Sequence, residues 1–272
     1  MKRMGLEELK KIQIQILDVF ASFCEENNIR YWLDCGTLLG AVRHHGYIPW
    51  DDDIDVGMLR PDYDRLCLLF NKTNSRYRLI NIESDKSSYF SYSKVVDTNT
   101  LLYEPDENGF QFYINIDVFV YDNAPDDSSE LKRMFDRRDH LNRQYQLQRG
   151  DHFPKGNAFR RFAIRCYQLW LRRKPGAYYI EQMVRNSKSY SEKTTQKVGN
   201  FTSASRMVCD RSAVLSTVMI KFEGKEYCCP SGYALWLKAF YGNTYMQLPP
   251  LEKRVSHHSF IAYINDSEEI LK

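Results

Sequence analysis

The segment Trp50-Asp51-Asp52-Asp53-Ile54-Asp55-Val56 constrains this chain more than any other. Asp53 and Asp55 alternate with Ile54 and Val56, and Ile54–Met58 reads as a buried strand. Residues two apart in a strand face the same side. Asp53 and Asp55 therefore project together, while Ile54 and Val56 face a core. Like charges held that close repel and shift each other's pKa. A divalent cation between them removes the conflict, and hard oxygen ligands suit Mg²⁺ or Mn²⁺. Another acid, Asp117, stands alone between Ile116 and Val118 in a stretch, Phe112–Val120, with the β-branched and aromatic content of a central strand. An ionised Asp is rarely buried without a partner. If the two strands are neighbours, three carboxylates converge. Such a site can hold two Mg²⁺ about 4 Å apart and activate a hydroxyl for in-line attack on phosphorus.

Two other readings compete for the same residues. One is a solvated acidic turn, with Asp117 paired to an arginine. The other is a calcium loop, since Asp51, Asp53 and Asp55 fit the first ligand positions of an EF-hand. Val56 then occupies the position that needs glycine, Asp62 replaces the final Glu, and Pro61 breaks the loop, so this reading fails.

Around this segment the chain alternates helices and strands. Leu9, Ile12, Ile16, Phe20 and Phe23 recur at helical steps over 6–27, and Asn27-Asn28 ends the run. A short strand at Ile29–Leu33 precedes a helical turn from Gly36 to Arg43, and Pro61 opens a helix through Phe70. Strand-like stretches follow at 77–82, 89–97 and 112–121. Residues 1–125 are thus an α/β or α+β unit. Residues 126–190 change character: they read as helical, and Lys132–Lys174 holds thirteen Lys or Arg against three Asp. Residues 191–272 contain a hairpin at Met219–Cys228 turning at Glu223-Gly224, and a helix over Gly232–Tyr241. At 272 residues, 43% hydrophobic and 27% charged, the chain has ample material for a core. A net charge of +3 demands no nucleic-acid partner, and no recognition motif for one is present. The seven cysteines form no CxxC pair, so no disulfide framework or zinc knuckle is expected, and Cys228 and Cys229 read as small buried apolar groups. No apolar run approaches the length of a membrane span, and the N-terminus lacks a signal core, so the expected location is cytoplasmic.

Gly36-Thr37-Leu38-Leu39-Gly40-Ala41-Val42-Arg43, followed by Gly46-Tyr47-Ile48-Pro49-Trp50 and the acidic segment, resembles the signature of the LicD family of phosphotransferases. That family includes bacterial phosphocholine transferases and is related to fukutin. Tyr92-Ser93-Lys94-Val95, Asn99-Thr100 and Ile116-Asp117-Val118-Phe119 agree with it. So do Tyr241-Gly242, Tyr245-Met246, Leu248-Pro249-Pro250, Arg254 and His257-His258. The resemblance implies an α+β, nucleotidyltransferase (polymerase β-like) fold: a mixed sheet with flanking helices, plus a mainly helical basic region. It implies that Asp53 and Asp55 are metal ligands and Asp117 the third carboxylate and base. It implies that Gly36 and Thr37 sit at a helix N-terminus, where free amides favour a phosphate. Asn243-Thr244 stand where the family often has an acid.

Asp51, Arg43, Lys94, Arg254, His257 and His258 complete the candidate substrate contacts. Arginine can fork onto two phosphate oxygens and lysine offers a point charge. The alternatives are a surface cation, a partner for the acids, or a solvated C-terminal turn. His44-His45 read as structural, because neighbours on a helix diverge. Trp32 and Trp50 could cage a quaternary ammonium or simply pack. In 159–174, Phe159, Phe162, Ala163, Cys166, Tyr167 and Trp170 form one stripe flanked by arginines. Such a helix either packs on the protein with its arginines in water or rests on an anionic membrane. The expected function is an Mg²⁺-dependent transferase that moves phosphocholine from CDP-choline onto a sugar hydroxyl of a glycan or lipid-linked glycan. The alternatives are a nucleotidyltransferase that releases pyrophosphate, and a non-catalytic membrane-surface protein.

Overall fold

The computed structural model describes residues 2–86, 88–104, 110–150, 157–255 and 261–264. In chain order it holds β1 (Lys2–Met4), α1 (Leu6–Glu26), β2 (Trp32–Leu33), α2 (Cys35–His44), β3 (Asp55–Leu59), α3 (Arg60–Thr73) and β4 (Tyr77–Ile80). Next come β5 (Ser93–Glu104), β6 (Phe110–Ala124), α4 (Ser128–Arg149), α5 (Ala158–Leu171), α6 (Gly176–Ser187), β7 (Lys197–Asn200) and β8 (Met207–Asp210). The chain ends with β9 (Thr217–Phe222), β10 (Lys225–Pro230), α7 (Tyr233–Tyr241) and β11 (Ile261–Ile264). Helices and strands mix in the α+β manner that the sequence implied.

Local chemistry explains most boundaries. The Glu8 carboxylate accepts from the Gly5 amide at 3.1 Å and closes the first turn of α1. The helix stops where Asn28 takes a φ of 52°. Asp127 accepts from the Glu130 amide at 2.9 Å to start α4, and Gly150 at φ 88° ends it. Glu223 and Gly224 both have positive φ, the requirement of a tight two-residue hairpin between β9 and β10.

The chain divides into two compact units. One comprises Met1–Ile80, Ser93–Val120 and Cys209–Lys272; the other comprises Asn81–Tyr92 and Tyr121–Val208. In the first, the sheet runs β1-β11-β5-β6-β3-β2, and β4 pairs β5 beside β11. The buried face of α1, with Ile16, Leu17 and Phe20 at 0% exposure, belongs to the same core as Val56, Val95, Ile116 and Val118. In the second, α4, α5 and α6 pack together around Tyr145, Leu171, Tyr179, Ile180 and Met183. Arg138, one of the thirteen cations of the basic stretch, is buried there and donates to the Ser203 and Ser205 carbonyls and to Asp139. Among the described residues no helix is long and apolar enough to cross a membrane.

Some expectations shift. The strand expected over Ile29–Leu33 is limited to β2, because Asn28 turns the chain and Ile29 bonds back to the end of α1. The 89–97 strand begins only at Ser93 but continues to Glu104. The short strands β1, β7, β8 and β11 carry no local signal and exist through long-range pairing such as Lys2 with Ile264. Cys229 is buried, as its small apolar reading required, but Cys228 is only half-buried because successive residues of β10 face opposite sides.

The α1 face sets the core's tolerance. Phe20 is fully buried and meets Tyr31 edge-on at 5.1 Å. Phe20→Ala is expected to cost about 3–5 kcal/mol through lost burial and a cavity. A urea midpoint within error of the parent would contradict this packing.

Candidate active site

The sheet order makes β3 and β6 neighbours, and the Asp117 amide donates to the Ile54 carbonyl at 2.8 Å. That bond brings Asp117 to the acidic segment. The β3 strand starts only at Asp55, so Asp53 lies in the lead-in to the strand and not on it. Strand alternation is therefore not what joins Asp53 to Asp55. Four fixings of the lead-in do so instead. Thr37 Oγ1 accepts from the Asp55 amide at 2.8 Å. The Asp51 amide donates to the Ile48 carbonyl at 2.8 Å. Gln13, a buried amide on the apolar face of α1, donates to the Asp52 carbonyl at 3.0 Å and to the Asn115 carbonyl at 3.4 Å. Gly36 leaves room: a Cβ there would stand 2.6 Å from Asp51 Oδ2.

The result is a crowded set of carboxylates. Asp51, Asp52 and Asp53 each present an oxygen within 4.8 Å of the others. Asp55 is 7% exposed, and burial pushes its carboxyl well above the ordinary range; the charges of Asp53, Asp117, Asp34 and Asp51 push it further. Asp55 thus feels the charges of Asp53 and Asp117, but among the described residues the acids whose oxygens all lie within 4.8 Å of one another are Asp51, Asp52 and Asp53, and Asp55 and Asp117 fall outside that group. Carboxylate oxygens are the donors that Mg²⁺ or Mn²⁺ prefers, so the acidic lead-in fits a divalent cation.

Gly36 and Thr37 lie in the first turn of α2, behind its N-cap Asp34, as expected. Thr37 is buried and holds the start of β3, so its hydroxyl is a positioning group. Lys94 stands directly opposite Asp117 in the β5–β6 register. Its ammonium bonds Asp117 and, at 2.9 Å, Asn115 Oδ1. The partner of Asp117 is this lysine, where the competing reading had an arginine. Arg43 donates to the Tyr245 carbonyl at 2.9 Å and the Gln247 carbonyl at 3.2 Å, and to His44 Nε2. Arg254 donates to the Pro249 carbonyl and stacks its guanidinium 5.5 Å from the Trp50 ring. The 241–254 stretch is thereby fastened beside the acids. Trp32 is 1% exposed and packs in the core. His257 and His258 lie outside the described residues.

Residues absent from the expected site also face it. Asp34 is completely buried and acts on Asp55. It obeys the rule that singled out Asp117, an acid between apolar neighbours Leu33 and Cys35. Cys35 has a φ of 45°, and its thiol is pushed up by burial and by Asp34, Asp55, Asp53 and Asp117. Tyr241, at the end of α7, is pushed up by desolvation and by Cys35, Asp55, Asp34 and Asp51. Gln13 carried no signal, because it reads as a polar interruption in an apolar helical face.

Comparison with known proteins agrees with this geometry. Residues 28–154 match the family described as LicD/FKTN/FKRP, nucleotidyltransferase domain. The chain carries a LicD-family domain. It is 28% identical to the lipopolysaccharide cholinephosphotransferase LicD of Haemophilus influenzae, over 97% of this chain and 100% of that protein. It is 53% identical over 38 residues to the ribitol 5-phosphate transferase FKRP of human and mouse, which is 14% of this chain and 8% of theirs. An uncharacterized protein of Rickettsia typhi is 32% identical over 53% of this chain and 49% of its own.

The crowding at Asp55 has a measurable cost. Its folded-state pKa is raised, so the fold holds the proton more tightly than the unfolded chain does. Stability is therefore lost as pH rises from the unfolded carboxylate range of about 4 through the raised folded value. In chelator, Asp55→Asn is expected to raise the urea midpoint at pH 7 and flatten its fall between acid and neutral pH. An unchanged or lower midpoint would show that Asp55 is not electrostatically strained.

Proposed function

We propose that this LicD-type protein is an Mg²⁺-dependent transferase. It moves a phospho-alcohol group, phosphocholine from CDP-choline, onto a sugar hydroxyl of a cell-surface glycan or a lipid-linked precursor, and CMP leaves. The observation that carries the reading is the bond from the Asp117 amide to the Ile54 carbonyl, which sets Asp117 beside the acidic lead-in whose charges act on Asp55. Relatives named for two different phospho-alcohols resemble this chain, which argues that a shared core handles phosphate while other residues read the alcohol.

In this mechanism Asp53 and Asp55, with Asp117, would hold the cation. When bound, the cation neutralises the diphosphate and stabilises the departing CMP. The remaining work falls to the chain. The amides of the first α2 turn, at Gly36 and Thr37, and the helix dipole receive phosphate oxygens. Asp117 takes the proton of the acceptor hydroxyl as its oxygen bonds phosphorus and the phosphorus–oxygen bond to CMP breaks. Lys94 and Asn115 fix where Asp117 points, so Lys94 acts here as a positioning residue. Arg43 and Arg254 hold the 245–254 stretch against α2 and Trp50, which closes one wall of the site. A nucleotide-activated donor is a cytoplasmic compound, so the reaction belongs on the cytoplasmic side of the membrane.

The test is a panel of CDP-alcohols with Mg²⁺ and a glycan acceptor, followed for CMP. CMP release with CDP-choline, lost in chelator, is the expected result. Asp53→Asn and Asp55→Asn are each expected to lower turnover on the order of a hundredfold or more with an unchanged circular dichroism spectrum. Release of pyrophosphate from a nucleoside triphosphate would replace the reading with nucleotidyl transfer. Near-normal turnover of either variant would remove the carboxylates from the chemistry.

A further inference from the structure

The α5 helix is oriented against the usual rule for an amphipathic helix. Tyr167 Oη accepts from Gln144 of α4 at 3.0 Å, and the α5 residues that are not exposed are Ile164, Gln168 and Leu171, of which Leu171 alone is buried. These lie at i, i+4 and i+7 and define one narrow face. The broad apolar stripe points nearly the opposite way. Phe159 is 80% exposed, Phe162 and Leu169 66%, and Trp170 55%. Tyr167 stacks flat on Trp170 at 5.7 Å, so the aromatic surface is already ordered. A water-soluble surface rarely leaves so many large apolar side chains adjacent on one helix.

The charges identify what covers this face. Residues 157–174 contain no acid. Arg160, Arg161, Arg165 and Arg173 are exposed along the helix and just beyond it, while Arg172 caps the end of α4 through the Gln148 carbonyl. A second copy of this chain, at a net charge of +3, would bring no uniform negative charge to match them. The surface of an anionic bilayer brings just that, with a hydrocarbon boundary to receive the stripe. At 14 residues α5 cannot span a bilayer, but it has the composition of a helix that lies in the interface, with Trp and Tyr at headgroup depth.

We infer that α5 is an interfacial anchor whose outer face, centred on Phe159, Phe162, Leu169 and Trp170, rests on an anionic lipid surface. The anchor is independent of the transfer chemistry. Each exposed cation near an anionic leaflet strengthens binding about fivefold, an effect that salt screens.

The experiment is flotation of the full chain with vesicles of phosphatidylcholine alone or with added phosphatidylglycerol. Binding to the anionic vesicles is expected, at least about tenfold weaker on neutral vesicles or in high salt. Phe159→Asp with Phe162→Asp is expected to abolish it, and Arg160→Glu with Arg165→Glu to weaken it at least about tenfold. These side chains are exposed, so circular dichroism should be unchanged. Trp170 fluorescence should shift to the blue on anionic vesicles and be quenched by brominated lipid. Asp53→Asn should bind vesicles like the parent, which separates this result from failure of the transferase reading. Vesicle binding that ignores the Phe159/Phe162 changes would overturn the inference. So would absence of binding to the anionic vesicles, and a dimer in sedimentation velocity that the same changes dissolve would then assign the face to a second copy of this chain.

Discussion

Several carboxylates held within reach of one another, in a site with little water, repel each other, and the polypeptide around them must supply the constraint that keeps them there. Here the constraint is backbone. The Asp117 amide on the Ile54 carbonyl ties β6 to the lead-in of β3. Thr37 holds the Asp55 amide from α2, and Gln13 holds the Asp52 and Asn115 carbonyls from α1. None of these bonds uses a carboxylate oxygen. The mutual repulsion of the acids is thus opposed by bonds that do not weaken when they ionise, and Lys94 bonds the Asp117 carboxylate besides.

This explains why a polar residue sits on the core face of α1. Gln13 carries both a donor pair and an acceptor, and its acceptor takes the Tyr47 hydroxyl at 3.0 Å. One amide thus joins the acidic lead-in, the neighbouring strand and the Gly46–Ile48 turn. An apolar residue at the same place would fill the volume and leave the two carbonyls unbonded. The glycines follow the same logic. A Cβ on Gly40 would meet the Gly46 carbonyl at 2.5 Å, so the close approach of α2 to that turn requires its absence.

Much of the fold was legible because it is locally encoded. The apolar period of α1, Pro61 at the start of α3 and the paired positive φ angles of Glu223-Gly224 each express a short-range rule. The joining of Asp117 to the acidic segment was also legible, since an acid in an apolar strand needs a reason to be there. What sequence could not express was non-local. The β1–β11 pair joins residues from opposite ends of the chain. Ile82 and its neighbours leave the first unit to pack with Tyr145 and Leu171 in the second, although nothing in their composition separates them from β4. Asp53 lies in the lead-in ahead of β3, so the strand alternation read between Asp53 and Asp55 is a geometry the fold does not use.

The α5 helix marks the limit of periodicity as evidence. A hydrophobic stripe says that one face avoids water, and composition does not say whether a protein core or something else receives it. The usual assumption assigns the stripe to the core. In α5 the core takes Leu171 instead, with Ile164 and Gln168 half-buried on the same face. Among the described residues Leu171 joins the cluster with Tyr179, Ile180 and Met183, and Tyr167 accepts from Gln144 of α4, so few groups hold a helix of 14 residues to the protein. Helices this short are marginal in water by themselves, because most helical stability in proteins comes from packing of an apolar face. A helix whose main apolar face is largely exposed among the described residues therefore gains further stabilisation from whatever surface that face meets.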